Sequence, residues 1–270
     1  MKNKLMVICS AGNGAMPVEQ CLECAQSMPT LCGFDYSLLE RIYSIIDIRP
    51  DVHVTDLTTS LLKSWFTKMK PMPESPHEML ARYLGTVIHR DIGRDNEVSK
   101  GEVTIKYGGV VGTADRLYLN DGRLVDYKTA RAIYPSRLPY GNHEVQLNIY
   151  AYMLEKSGCE INSLALQYIS LSGPTMCRKC RRAVVWREAG FICPACEKSF
   201  PNGHLGVCTI EVLRYSDQEM EEVFDVRRKE LADALKEDRH PIAEPGWICG
   251  YCSYLEDCEK GLKFNFGGEE

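Results

Sequence analysis

Asp126 and Lys128 stand two residues apart at the end of an apolar run, Leu124-Val125, and Asp115 lies a short distance upstream. Side chains alternate faces along a strand, so Asp126 and Lys128 share a face. Between the two acids, Asn120-Asp121-Gly122 separates two apolar runs, which is a hairpin signal. With Asn120-Asp121 as the central turn residues, Asp115 falls opposite Asp126. With Asp121-Gly122 central, it falls opposite Lys128. Either two-residue turn gathers all three charges on one face; a three-residue loop does so only with a bulge. Two carboxylates one strand apart repel unless a cation lies between them. Mg²⁺ or Mn²⁺ is suited to that place, because each is held by one or two carboxylates together with water and phosphate oxygens. A neighbouring lysine can then position or deprotonate water, or stabilise charge developing on a phosphate. An isolated Asp-x-Lys is ordinarily a surface ion pair, so the surrounding elements decide its meaning.

Those elements read as a mixed α/β chain. Residues 36–46, 54–69 and 77–92 carry helical spacing of apolar residues, and the last of these segments ends near His89 after Gly85-Thr86. Strand-like sequence follows at 102–107, 110–119 and 123–129. The segment 143–158 reads as a helix ended by Gly158, with Gln146 and Tyr150 four apart on one face. Strands are expected at 163–171 and 206–215, and Ser216 with Glu219 forms a capping box for a charged helix to about residue 238. Residues 1–35, rich in Cys, Gly and Pro, look irregular.

In order along the chain, "LGTVIH", "GTAD", "VDYKT" and "QLNIY" resemble the motifs of the RecB-like branch of the PD-(D/E)-x-K nucleases, a set shared by CRISPR-associated, phage and repair exonucleases. The resemblance runs from about Gly85 to Tyr150. It implies a restriction-endonuclease-like core, a mixed central sheet flanked by helices. It also implies that His89, Asp115, Asp126 and the backbone carbonyl of Tyr127 hold Mg²⁺ or Mn²⁺, that Lys128 is the catalytic lysine, and that Gln146 and Tyr150 line the site near DNA. Asp126 is the aspartate option at a position where many members of the wider superfamily carry glutamate. The implied activity is metal-dependent hydrolysis of DNA phosphodiesters, by an exonuclease or an end-processing nuclease acting on single strands or duplex ends. The competing class is a nucleic-acid-binding or scaffold module that keeps the fold without catalysis. Such a module has no chemical need for the lysine or for both carboxylates. RNA as substrate is disfavoured by the resemblance alone.

Thirteen cysteines need a separate account. Cys177-x2-Cys180 and Cys193-x2-Cys196, twelve residues apart, have zinc-ribbon spacing and predict one tetrahedral Zn²⁺ site. A ribbon this small cannot build a core, so the metal supplies its folding energy. Its Arg178, Lys179, Arg181, Arg182 and Arg187 either touch phosphates or form a solvated face. At the C-terminus Cys249-x2-Cys252-x5-Cys258 offers three thiolates. Spacing alone permits zinc; the family resemblance implies a [4Fe–4S] cluster completed by a distant N-terminal cysteine. That donor would be natural within residues 54–66, where Ser60 stands instead. Upstream, Cys21, Cys24 and Cys32 form another trio, with Cys32 nearest in sequence. One of these completes the cluster, or the trio forms its own zinc site with an unidentified fourth ligand, or the cluster is degraded. Cys9 and Cys159 read as ordinary thiols, and Cys208, outside the four-ligand pattern, as a buried strand residue.

The expected organisation is a cysteine-rich region (1–53), a nuclease core (54–173), a zinc-ribbon insertion (174–205), the remainder of the core with a C-terminal helix (206–240) and a cysteine-cluster region (241–270). With 44% apolar and 26% charged residues, a folded chain is expected rather than disorder. The net charge of −5 gives no global basic signature, so nucleic acid must meet a local patch. No apolar run is long enough to span a membrane, and "LMVIC" is too short for a signal-peptide core, so a cytoplasmic location is expected.

Overall fold

A computed structural model describes residues 5–12, 14–28, 31–46, 50–188, 190–244 and 246–258. The last twelve residues of the expected cysteine-cluster region, 259–270, lie outside the described residues. The chain forms two compact units. One comprises residues 1–50, 60–88 and 233–270; the other comprises 51–59 and 89–232.

In the first unit a short hairpin, β1 (Met6–Ile8) and β2 (Ala15–Pro17), leads into α1 (Val18–Ser27) and α2 (Tyr36–Tyr43). The region that looked irregular therefore contains a hairpin and a helix among its described residues. Its three-residue strands and ten-residue helix are too short for a periodic pattern to stand out among Cys, Gly and Pro. Asp35 caps α2 through Leu38 N–H at 3.0 Å. Val7, Cys21, Ala25, Phe34, Leu39, Ile42, Tyr43 and Met79 form the unit's buried core. The C-terminal tail packs on α4 (Leu61–Met69): His240 meets Trp65 edge-on at 4.6 Å, and Tyr254, between Cys252 and Cys258, stacks on Phe66 at 5.3 Å. α4 begins just after Ser60, the position where a cysteine donor would have been natural.

The second unit is built on a six-stranded mixed sheet. Its strands are β3 (Val52–His53), β4 (Ser99–Tyr107), β5 (Val110–Tyr118), β6 (Arg123–Ala130), β7 (Ser163–Ser170) and β10 (Val207–Val212), with β8 (Val185–Arg187) and β9 (Gly190–Ile192) forming a separate hairpin. The order is β10-β7-β6-β5-β3, and β4 pairs antiparallel with β5 along nearly its whole length. One edge of β5 is thus taken by β4, and the other is shared by β3 at its start and β6 at its end. β6 and β7 run parallel, joined by α6 (Gly141–Lys156), which packs on the sheet. Most of α6 from Gln146 to Leu154 is buried, and this explains why its sequence is apolar on nearly every side. Buried Asn148 ties the strand exit after β10 to α6: its side chain accepts from Tyr215 N–H at 2.9 Å and donates to Leu213 C=O at 3.1 Å.

The predicted capping box is present, with Ser216 and Glu219 bonded reciprocally. It opens α7 (Asp217–Met220), which runs through a π-helical stretch (Glu221–Val226) into α8 (Arg227–Lys236). Among the described residues, no helix is long and apolar enough to cross a membrane.

Candidate active site

The hairpin of β5 and β6 is closed by four residues, 119–122, rather than by a two-residue turn. Asn120-Asp121 lies at the loop's centre, so the even register survives and the ladder, continued one step, sets Asp115 opposite Asp126. Gly122 takes φ +63°, and a Cβ there would meet Glu160 C=O at 2.8 Å, which explains the glycine at that position. The strands pair only from Arg116–Val125 to Tyr118–Arg123, and beyond that the backbones part. Asp115 fills the opening: its Oδ2 accepts the Tyr127 N–H at 2.8 Å, in place of a backbone carbonyl. On the same edge, a Cβ on Gly112 would lie 2.8 Å from both the Tyr150 ring and Val54. The glycine of "GTAD" therefore lets Tyr150 seat against β5.

Within this opening the predicted residues converge. His89, near the end of α5 (Pro76–Ile92), places Nδ1 3.1 Å from Asp115 Oδ1 and meets the Tyr127 ring edge-on. The Lys128 ammonium lies 2.8 Å from Asp126 Oδ2 and donates to Gln146 Oε1 at 2.7 Å. Gln146 donates onward to Tyr150 Oη at 2.8 Å. The result is one chain of polar contacts, Asp126–Lys128–Gln146–Tyr150, beside a second, His89–Asp115–Tyr127.

The electrostatics of Asp126 are unusual for a carboxylate. It is 2% exposed, and Oδ2 has no partner in hydrogen-bond geometry, although the ammonium is close enough for an ion pair. Burial raises its pKa to about 6 and the nearby Asp115 charge adds to the rise, while Lys128 and His89 work against it. Burial disfavours the His89 imidazolium, but its hydrogen bond to Asp115 and the two carboxylate charges outweigh that, and its pKa is raised. Two buried carboxylates facing one another beside a lysine fit a divalent cation, whose charge would offset their repulsion.

The sequence reading did not single out His143. Its Nδ1 lies 3.0 Å from Tyr168 Oη, and Tyr168 pairs with Lys128 across β6 and β7. Burial, with the Lys128 charge, lowers its pKa to about 4, so the ring stays neutral. The available signal was its place three residues before Gln146, on the same helix face.

The ribbon cysteines also converge. The ligand atoms of Cys177, Cys180, Cys193 and Cys196 all lie within 4.8 Å of one another, and among the described residues no other His, Cys, Asp or Glu group is gathered so tightly. Each pair closes its own loop: Cys177 N–H bonds Arg182 C=O at 2.8 Å, and Cys193 N–H bonds Lys198 C=O at 2.9 Å. Burial works against ionisation of Cys193, but the Ala195 and Cys196 N–H groups outweigh it and bring the thiol to about 7. The group can hold zinc or iron. The structure does not gather Cys249, Cys252 and Cys258 in this way, with one another or with Cys32.

A mixed sheet flanked by helices, with an acidic pair and a lysine where two strands part, defines the restriction-endonuclease-like class. A family model described as PD-(D/E)XK nuclease superfamily matches residues 37–259, and the chain belongs to that superfamily. Among solved structures it is similar to SSO0001, at 19% identity and TM-score 0.49, covering 83% of this chain and 95% of that one. It is also similar to a phage-related exonuclease from Haemophilus somnus 129PT, at 10% identity and TM-score 0.40, covering 69% of this chain and 92% of that one. No curated protein matches the sequence.

Proposed function

We propose that the protein is a divalent-metal-dependent deoxyribonuclease, an exonuclease or DNA-end-processing enzyme. The observation that carries this reading is the buried Asp126 carboxylate, ion-paired with Lys128 and placed across from Asp115. Asp115, Asp126, His89 and the Tyr127 carbonyl would hold Mg²⁺ or Mn²⁺. When bound, the ion supplies Lewis-acid stabilisation of the charge that gathers on the phosphate oxygens. Lys128, fixed between Asp126 and Gln146, directs its ammonium at the attacking water and at the developing negative charge. Gln146 orients Lys128, and Tyr150 orients Gln146. His89 holds Asp115 from one side while the Tyr127 N–H holds it from the other. That fixes both carboxylate oxygens before substrate arrives.

The ribbon cysteines would hold Zn²⁺, and the exposed Arg178, Lys179, Arg181, Arg182 and Arg187 around them would contact phosphates away from the reacting bond. Cys249, Cys252 and Cys258 would supply three ligands of a [4Fe–4S] cluster. The support for that is the family resemblance, and brown protein absorbing near ~400 nm after anaerobic purification is the expected sign.

The test is digestion of end-labelled single- and double-stranded DNA, with RNA in parallel, in Mg²⁺ or Mn²⁺ and with a chelator. Loss of label from DNA ends that stops with chelator and with Asp126→Ala is expected. Unchanged activity in Asp126→Ala overturns the site. Cleavage of RNA alone overturns the substrate class.

A further inference from the structure

We propose that Cys9, Cys21, Cys24 and Cys32 form a second structural metal site, a tetrathiolate Zn²⁺ centre in the N-terminal part of the first unit, separate from the ribbon and from the nuclease site. Three elements converge there. Cys9 follows β1 in the turn before β2, closed by Cys9 N–H to Gly14 C=O at 2.9 Å and Gly12 N–H to Cys9 C=O at 3.1 Å. Gly12 and Gly14 both take positive φ, +86° and +74°, and so permit a turn that leaves Cys9 buried at the hairpin end. Cys21 and Cys24 stand three apart on α1 and so lie on one face of the helix. Cys32 packs against the same core that buries Cys21 and Tyr43.

Tyr43 links the group to α2. Its hydroxyl lies 3.0 Å from Cys21 Sγ. Either group can donate across this contact; to a Cys21 thiolate the phenol would donate, the kind of outer contact that orients a metal ligand. Val7, two residues before Cys9, lies in the same buried core as Cys21, against which Cys32 also packs. The four cysteines are less tightly gathered than the ribbon's, which alone among the described residues fall within 4.8 Å of one another. Metal binding would draw them in.

The surrounding structure has reason to need a metal. The elements are short, two three-residue strands, a ten-residue helix and an eight-residue helix, and small motifs of this kind commonly take part of their folding energy from a bound ion. Four thiolates from a turn, a helix and a following loop suit the tetrahedral preference of Zn²⁺. The assignment makes Cys9 the missing fourth partner of the upstream trio. It also takes Cys32 away from the C-terminal cysteines.

The test is metal content of the full chain, purified reduced and anaerobically, for wild type, Cys9→Ser, Cys193→Ser and the double variant. About two zinc per chain are expected in wild type, about one in each single variant and none in the double variant. Cys9→His, which keeps a zinc ligand, should retain the metal, and Cys159→Ser should lose none. Should Cys9→Ser fold poorly, the Cys193→Ser chain reconstituted with Co²⁺ gives a second readout. Its thiolate-to-cobalt absorption should be present and should disappear on adding Cys9→Ser. The proposal is overturned if folded Cys9→Ser keeps full zinc, if iron falls while zinc does not, or if mass spectrometry without reductant finds a disulfide among these four residues.

Discussion

The four-cysteine ribbon and the candidate nuclease site are both clusters of side chains that could hold a metal, in one unit, yet they are assembled in opposite ways. The ribbon's ligands come from two short loops, each closed by its own backbone hydrogen bonds, and a metal is what joins them. The nuclease site takes side chains from α5, β5, β6 and α6, and the register of the sheet joins them before any metal binds. One region would depend on a bound ion for structure. The other has structure first and holds two buried, facing carboxylates ready for an ion. Removing metal should therefore unfold the first and leave the second folded, with a stability that depends on pH.

The largest effect expected is at the ribbon. Cys193→Ser, or chelation of its zinc, should remove on the order of 10 kcal/mol of metal-linked folding energy from the ribbon and leave the sheet intact. Hydrogen exchange that stays slow in the ribbon without metal would break the contrast. At the nuclease site, Asp126→Ala should lower DNA cleavage by about 10³-fold or more without unfolding the chain, read as initial rates beside circular dichroism. Lys128→Met should cost about 10²- to 10³-fold in kcat. Its effect on the affinity for Mn²⁺ should be small, and isothermal titration would show the split between the two residues.

A smaller effect links pH to the metal. Folding raises the Asp126 pKa from 3.8 to about 6, so the folded state holds that proton more tightly than the unfolded chain does. In the absence of metal this group favours the folded state most below its unfolded pKa, and the contribution is lost as pH rises through about 6. The loss should be of order 1 to 3 kcal/mol. Mg²⁺ should offset it by favouring the ionised form. Thermal melts from pH 4 to pH 7, with and without Mg²⁺, check this, and Asp126→Asn should flatten the profile. Smallest of all, Arg181→Ala with Arg182→Ala should weaken DNA binding several-fold and lower the salt slope by about one to two, leaving kcat unchanged. A loss of kcat would mean that the ribbon takes part in the chemistry and would merge the two regions.

Much of the nuclease site was legible in the sequence, because its parts are short-range. Asp126 and Lys128 share a strand face, Gln146 and Tyr150 share a helix face, and the Asn-Asp-Gly stretch announces the hairpin. An even loop of four residues keeps the parity that a two-residue turn would have had, so the predicted face survived a different closure. His143 was harder to see, because its relation to Lys128 passes through Tyr168 on a neighbouring parallel strand. The N-terminal hairpin and α1 were missed because elements of three to ten residues carry too few apolar positions for a period to show.

By itself the sequence determined which residues could do chemistry: the carboxylates, lysine and thiols, and the short spacings that put neighbours on one face or in one loop. Only the tertiary structure decided that β5 and β6 part after three pairs, so that Asp115 turns into the gap and Asp126 is buried there. The same holds for the turn at Cys9, brought to α1 by a hairpin. The physical reason is that helix and strand periodicity reaches only a few residues, while register and burial are set by contacts distant in sequence.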